Sequence, residues 1–287
     1  MTGLSPELGA WIGRKRVVED EIGLTATRRI AGMLDLDPDS FRPGTALPPH
    51  WFTMFFAENA RQSQIGPDGH PLKGLFLPPI PLPRRMAAGR RVSITGRLHV
   101  GEPARKIAEV VAIEPKQARS GAMMLLTMRH TIEARGQTIA VDEFDAVYRE
   151  AAKPGPGEGG GGGAPPAMAP VDPAWSDQVH LSEVLVFRYG AVTWNAHRIH
   201  YDADYTRQEE GYPHTVQNGG LTMQLILDAA LKRASGELNG FTARLARPLW
   251  VGDTATFAGR TADGGRMSAW AANAEGELCV QMELSFA

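Results

Sequence analysis

The chain has 287 residues, 43% of them hydrophobic, which is more than one ordinary domain needs for its core. Thirty basic residues oppose 32 acidic ones for a formal net charge of −2, so no excess of charge recruits nucleic acid. No stretch of 18 apolar residues occurs, nor a basic start followed by a signal-like apolar run, so a soluble, cytoplasmic chain without a membrane span is expected.

In chain order, Ala26 to Leu36 reads as a helix. LPPHWF follows at Leu47 to Phe52, then GLFLPPIPLPRRMAAG at Gly74 to Gly89. Prolines this dense fit neither a helix nor a central strand, so a rigid crossing segment is expected, with Arg84 and Arg85 projecting from its end. Strands are expected at Arg91 to Val100, Ala104 to Ile113, Ala122 to Ala134 and Gln137 to Tyr148. His99 and His130 fall in these strands, where satisfied core or surface histidines are the expected role. Residues 151–178 read as a linker around KPGPGEGGGGGAPPAMAP, with no capacity to pack a core. They separate a first domain, 1–150, from a second, 179–287.

The second domain opens with a strand near Ser182 to Tyr189 and continues into FRYGAVTWNAHRIHYDADYTRQEEGYPHTVQNGGL, from Phe187 to Leu221. Two turn-like runs, Trp194 to Asp202 and Glu209 to Asn218, lead to a helix from Leu221 that ends near Lys232 and Gly236. Its apolar run is almost continuous, so burial on nearly every face is expected. Gly219 and Gly220 let backbone approach a ligand, and the unpaired amides of the helix start can face a carbonyl oxygen or an anion. Strands are expected at Gly240 to Ala246, Asp253 to Thr261, Arg266 to Asn273 and Leu278 to Ser285. Cys279, the sole cysteine, sits in the last of these and reads as a small buried hydrophobe. Each half is thus one helix wrapped in a curved antiparallel sheet, an α+β architecture.

The two histidines at 197 and 200 admit three readings: loop caps, proton-transfer groups, or metal ligands together with Asp202. No cysteine is nearby and the spacing matches no strong zinc signature, so no metal is expected. The segment Thr193 to Asp202, with Asn195, His197, Arg198, Ile199, His200 and Asp202, resembles the active-site motif of the MaoC-like (R)-specific enoyl-CoA hydratase and dehydratase family. Trp194 to Asp202, Gly74 to Gly89 and Leu47 to Phe52 are similar to its mesaconyl-C4-CoA hydratase-like branch, which carries a dehydratase-like N-terminal domain. The resemblance implies a tandem double hot-dog fold with a degenerate first domain that shapes the acyl or CoA channel. It implies that His200 is the catalytic histidine, that Asn195 replaces the usual catalytic aspartate, and that Asn218-Gly219 replaces the His-Gly opening the central helix.

The expected chemistry is reversible addition of water to a short dicarboxylic enoyl-CoA, with mesaconyl-C4-CoA giving citramalyl-CoA and CoA being part of the substrate rather than a cofactor. Gly219 and Gly220 would supply oxyanion donors, and Asn195 would orient the water. His200 would move both protons, or Tyr189 or Asp202 would supply one. Arg84, Arg85, His197, Arg198, Tyr212 and Asn218 are the expected substrate contacts, an arginine taking the free carboxylate. For Asp202 a cap is an equal alternative, for Tyr212 a packed turn, and for the Arg84-Arg85 pair a solvated surface. A (3R)-hydroxyacyl-thioester dehydratase, a thioesterase and a non-catalytic acyl-CoA-binding subunit are the other functions weighed, and a homo-oligomer is left open.

Overall fold

A computed structural model describes residues 3–118, 121–150, 166–262 and 264–287. In chain order the elements are α1 (Pro6–Gly9), β1 (Lys15–Glu21), α2 (Leu24–Met33), β2 (Arg84–Ile94), β3 (Pro103–Ala118), β4 (Gly121–Ala134) and β5 (Gln137–Arg149). They continue with β6 (Trp175–His180), α3 (Glu183–Val192), α4 (Ala203–Gln208), α5 (Gly219–Leu231), β7 (Leu238–Leu245), β8 (Thr254–Ala262), β9 (Arg266–Ala272) and β10 (Leu278–Phe286).

All ten strands form one antiparallel sheet in the order β1-β3-β4-β5-β2-β7-β10-β9-β8-β6. The sequence β1-β3-β4-β5-β2 on one side mirrors β6-β8-β9-β10-β7 on the other. Loop hydrogen bonds repeat with it: Leu47 N to Leu98 O corresponds to Gln217 N to Leu249 O, and Gly101 N to Ile22 O to Gly252 N to Leu181 O. The halves join where β2 pairs with β7, from Gly89 opposite Arg244 to Ser93 opposite Gly240. A Cβ on Gly240 would lie 2.7 Å from the Val92 carbonyl oxygen, so the seam requires glycine there. One hydrophobic core crosses the seam, uniting Ile30, Trp51, Val92, Leu227, Phe241 and Phe257. A second lies wholly in the first half, around Trp11, Ile80, Leu126 and Tyr148.

Helix α5 packs on β7, β8, β9 and β10. Seven of its 13 residues are buried, among them Leu221, Ile226 and Leu227, each contributing about 1.5–3 kcal/mol of burial free energy. Among the described residues the first half has no counterpart of this helix, contrary to the expectation of one wrapped helix per half. Helix α2 packs instead on α3. The place corresponding to α5 begins with Pro48 and Pro49 and holds a single 3-10 turn, Trp51–Met54. The buried side chains of Trp51, Phe52, Met54 and Phe56 occupy the space. His50 ties this turn to α5: it is fully buried, with Nε2 3.1 Å from Asp228 Oδ1 and 2.7 Å from Gln224 Nε2.

Four further expectations are corrected. Ser182 to Tyr189 is not a strand: Ser182 Oγ accepts the Leu185 amide and opens α3, which runs to Val192. The strand of this region is β6, which begins at Trp175, inside the expected linker. Ala169 N also bonds Gly276 O, so that part of the linker is docked, whereas Lys153 to Pro165 lie outside the described residues. Strand β2 starts at Arg84 and ends at Ile94, so the proline segment stops just before it and both arginines belong to the sheet. His99 lies beyond β2, in an isolated bridge to Ala46. Among the described residues, no helix is long and apolar enough to cross a membrane.

Candidate active site

The loop from Thr193 to Asp202 is built from its own polar groups. Asn195 Oδ1 accepts the His197 amide at 3.0 Å, an Asx turn that spends the side-chain acceptor inside the loop. Asp202 caps α4 by accepting the Tyr205 amide at 2.9 Å, and its Oδ2 receives Arg198 Nε at 3.0 Å and Nη2 at 2.7 Å. Asp202 takes the capping role, the alternative expected for it, rather than holding a histidine ring, and Arg198 is paired with it rather than free for substrate. Arg198 Nη1 also donates to Pro67 O, and the Arg198 amide to Asp68 O.

His200 is held at both ring nitrogens. Nδ1 lies 2.7 Å from Val216 O, which fixes the Nδ1–H tautomer and leaves Nε2 as an acceptor, 3.2 Å from Asn218 Nδ2. Asn218 points its amide nitrogen this way because its Oδ1 accepts the Gly220 amide at 2.8 Å and the Leu221 amide at 3.4 Å as the N-cap of α5. Burial lowers the His200 pKa to about 4, so the ring is a neutral base at pH 7. Of the two expected oxyanion donors, the Gly220 amide is therefore engaged by Asn218, while the Gly219 amide has no acceptor among the described residues. Tyr189 is buried, and its hydroxyl lies 2.5 Å from where a Cβ on Gly220 would stand. Burial raises its pKa to about 12, so it stays protonated.

The first half adds residues that sequence reading missed. Gly69 presses so closely on the loop that a Cβ there would meet the Ala196 carbonyl, and its φ of +89° favours glycine. Beside it, the His70 ring lies 4.1 Å from that of His197, which in turn lies 5.5 Å from His200. His70 Nδ1 is 3.1 Å from Asp68 Oδ2. Burial pushes the Asp68 carboxyl upward, but side-chain and backbone hydrogen bonds from His70 outweigh it and hold the pKa at about 2. Burial lowers His197 to about 2, and the neighbouring histidines add to the shift. The ligand atoms of Asp68, His70 and His197 lie within 4.8 Å of one another, a metal-sized cluster that differs from the His197, His200 and Asp202 set considered from sequence. The Asp68 and His70 groups satisfy each other through hydrogen bonds. The signal in the sequence was the turn GPDGHP, Gly66 to Pro71, whose partner 130 residues later no local pattern reveals.

The remaining expected contacts divide. Arg84 Nε lies 3.7 Å from Glu210 Oε2, with its guanidinium over the Tyr212 ring. Tyr212 is buried against Trp250 and donates to Met86 Sδ, which makes it a packed wall. Arg85 has no hydrogen bond or ion pair among the described residues and is near enough to depress the His197 pKa, so it remains available to an anion. Cys279 is fully buried, and burial raises its thiol to about 11, which leaves it inert.

A cavity of ≈ 280 Å³ adjoins the start of α5, bounded by Gly220 and Met223 on one side and by Phe52, Phe55, His130 and Phe144 of the first half on the other. Geometry thus supplies a neutral imidazole base, a free helix-start amide and an adjoining apolar chamber, the parts needed to polarise a carbonyl and move a proton beside it.

Comparison with known proteins agrees. Residues 50–251 match the family model described as hydroxyacyl-thioester dehydratase type 2. The mesaconyl-C(4)-CoA hydratase of Chloroflexus aurantiacus is 40% identical over 250 residues, 86% of each chain. A MaoC-like dehydratase from Phytophthora capsici superposes with a TM-score of 0.71 at 14% identity, covering 96% of both chains. A Mycobacterium tuberculosis protein described as a double hotdog fold does so at 0.55 and 14%, covering 98% of both.

Proposed function

The chain belongs to the hydroxyacyl-thioester dehydratase type 2 family and is a hydro-lyase, and we propose that it adds water reversibly to a short dicarboxylic enoyl-CoA thioester, mesaconyl-C4-CoA giving citramalyl-CoA. The observation that carries this reading is the pinned, neutral His200, whose Nε2 meets the N-cap side chain of a helix whose first amide is unspent. The 40% identity to a mesaconyl-C(4)-CoA hydratase over most of both chains supports the choice of acyl group.

His200 Nε2 takes a proton from water as the oxygen forms its bond to the β carbon. The displaced π electrons move through the conjugated system onto the thioester oxygen, where the Gly219 amide stabilises the enolate. The same histidine then returns the proton to the α carbon, which restores the C=O and completes the addition. Asn218 Nδ2, which occupies the Nε2 lone pair at 3.2 Å, yields it to the incoming water, and the amide of Asn195 helps position that water. Arg85 meets an anionic part of the CoA ester. The two halves divide the labour: the second carries the reacting groups, and the first closes the acyl chamber and braces the loop through Asp68 to His70.

Rates with mesaconyl-C4-CoA, itaconyl-CoA and crotonyl-CoA test the reading. Faster hydration of the dicarboxylic esters is expected, and a crotonyl-CoA rate above both overturns the dicarboxylate assignment. Release of free CoA would mark a thioesterase, and retention of the ester without turnover a binding subunit.

A further inference from the structure

The chamber beside Gly220 contains an unmatched cation. Lys106 lines it from β3, and its Nζ donates to the Phe56 carbonyl at 2.7 Å, but it forms no ion pair among the described residues. The carboxylates around it are committed elsewhere. Asp142 is gripped at both oxygens by Arg90, Nε to Oδ1 at 2.7 Å and Nη2 to Oδ2 at 2.6 Å. Glu58 pairs with Arg16, and Asp20 accepts the Phe56 amide at 2.7 Å. Asp145, also on the wall, is held by Arg91 at 2.7 Å. His130 adds no second positive charge, because burial lowers its pKa to about 4. Burial destabilises this ammonium and lowers its pKa, and the charges of Glu58, Asp142 and Asp20, none of them ion-paired with it, offset only part of that cost. An anion entering the chamber removes that cost.

We infer that Lys106 is the residue that reads the free carboxylate at the far end of the acyl group, with Gly220, at the start of α5, marking the thioester end of the same chamber. The inference rests on the dicarboxylate reading above and specifies it. It also replaces the clamp expected from Arg84 or Arg198, both of which are engaged elsewhere. The rest of the wall is largely apolar, with Phe52, Phe55, Ile132 and Phe144 around the chain of the acid. At ≈ 280 Å³ the space is at the small end for ligand pockets, which suits a short branched acid and not a long fatty chain.

The test is Lys106→Met, which keeps length and apolar packing, and Lys106→Arg, which keeps charge, each assayed with mesaconyl-C4-CoA and crotonyl-CoA. Loss of one charge-assisted contact predicts a fall of about 10- to 100-fold in kcat/KM for the dicarboxylic ester in Lys106→Met. Crotonyl-CoA hydration is expected to hold or rise, and Lys106→Arg to keep most of the dicarboxylate preference. Equal losses on both substrates in Lys106→Met, or no loss on either, overturn the role of Lys106 while leaving the wild-type preference standing. If Lys106→Met does not fold, Lys106→Gln, which also removes the charge, takes its place and is read by the same outcomes. A wild-type enzyme that does not prefer the dicarboxylic ester removes the substrate reading itself.

Discussion

The His70 ring of the first half packs at a tilt, 4.1 Å from that of His197 of the second, so the loop that carries His200 is held from across the seam. Gly69 makes the approach geometrically possible. Replacing it by alanine places a Cβ against the Ala196 carbonyl and must push the two loops apart. Gly69→Ala is expected to lower kcat at least 10-fold while the cooperative melt survives, because both hydrophobic cores lie elsewhere. His70→Ala, which removes the ring but not the loop contact, should cost less. Steady-state rates beside circular-dichroism melts check both; a Gly69→Ala enzyme with wild-type kcat would show that the contact does not brace the site.

Asn218 links the cap of α5 to the His200 ring, and two substitutions separate those jobs. Asn218→Ala loses both and should cost about 1 kcal/mol of stability as a lost cap, with a clear drop in kcat. Asn218→Asp keeps an acceptor for the Gly220 amide but sets a carboxylate oxygen where Nδ2 stood, facing His200 Nε2. The anion favours the imidazolium, so the acid limb of the kcat/KM profile should move to higher pH. An unshifted limb would place the titrating group elsewhere.

Much of this arrangement was legible from local pattern. The continuous apolar run behind Gly219-Gly220 marks α5 because a helix buried on most faces needs no polar stripe, and the apolar patterning of Ala122 to Ala134 and Gln137 to Tyr148 marks two strands, which the structure pairs. Helix α3 was misread because Val184 and Phe187 point outward, at 67% and 72% exposure, which erases the helical period and leaves a run rich in β-branched and aromatic residues. Asp202 and Arg198 looked functional because both are polar and sit in the motif; that each spends itself on the other is an i, i+4 relation visible only once the loop turns. Asp68, His70 and Lys106 were missed for a different reason: their partners lie across the fold, and no spacing rule reaches that far.

Buried neutral histidines make stability depend on pH. His200 and His130 sit at about 4 and His197 at about 2, all lowered first by burial from 6.5. Between those values the unfolded chain binds more protons than the folded one, so stability is full above about pH 6.5 and falls as pH drops toward 4. Urea midpoints measured from pH 7.5 to 4.5 should fall in this direction, and His130→Gln should flatten part of the slope. A midpoint that rises on acidification contradicts the neutral assignment.

The second proton transfer is decided by Tyr189 and Asn195 together. Asp202 is spent on α4 and Arg198, which leaves His200 to act twice or Tyr189 to donate once. Tyr189 stays protonated at its raised pKa and lies against Gly220, near the reacting end of the chamber, so position alone does not exclude it. If His200 acts twice, Tyr189→Phe removes only a hydroxyl from the wall and should keep kcat within about 5-fold, whereas loss of a general acid costs about 100-fold or more. His200→Ala should lose about 100- to 10,000-fold in either case. Asn195→Asp preserves the acceptor for the His197 amide and hence the turn, and adds a group able to hold a proton. Its rate should change while its melt does not, and in the Asn195→Asp, Tyr189→Phe double variant the two effects should simply multiply. A Tyr189→Phe enzyme reduced 100-fold and restored by Asn195→Asp would instead make the tyrosine the proton donor that this active site uses in place of the usual aspartate.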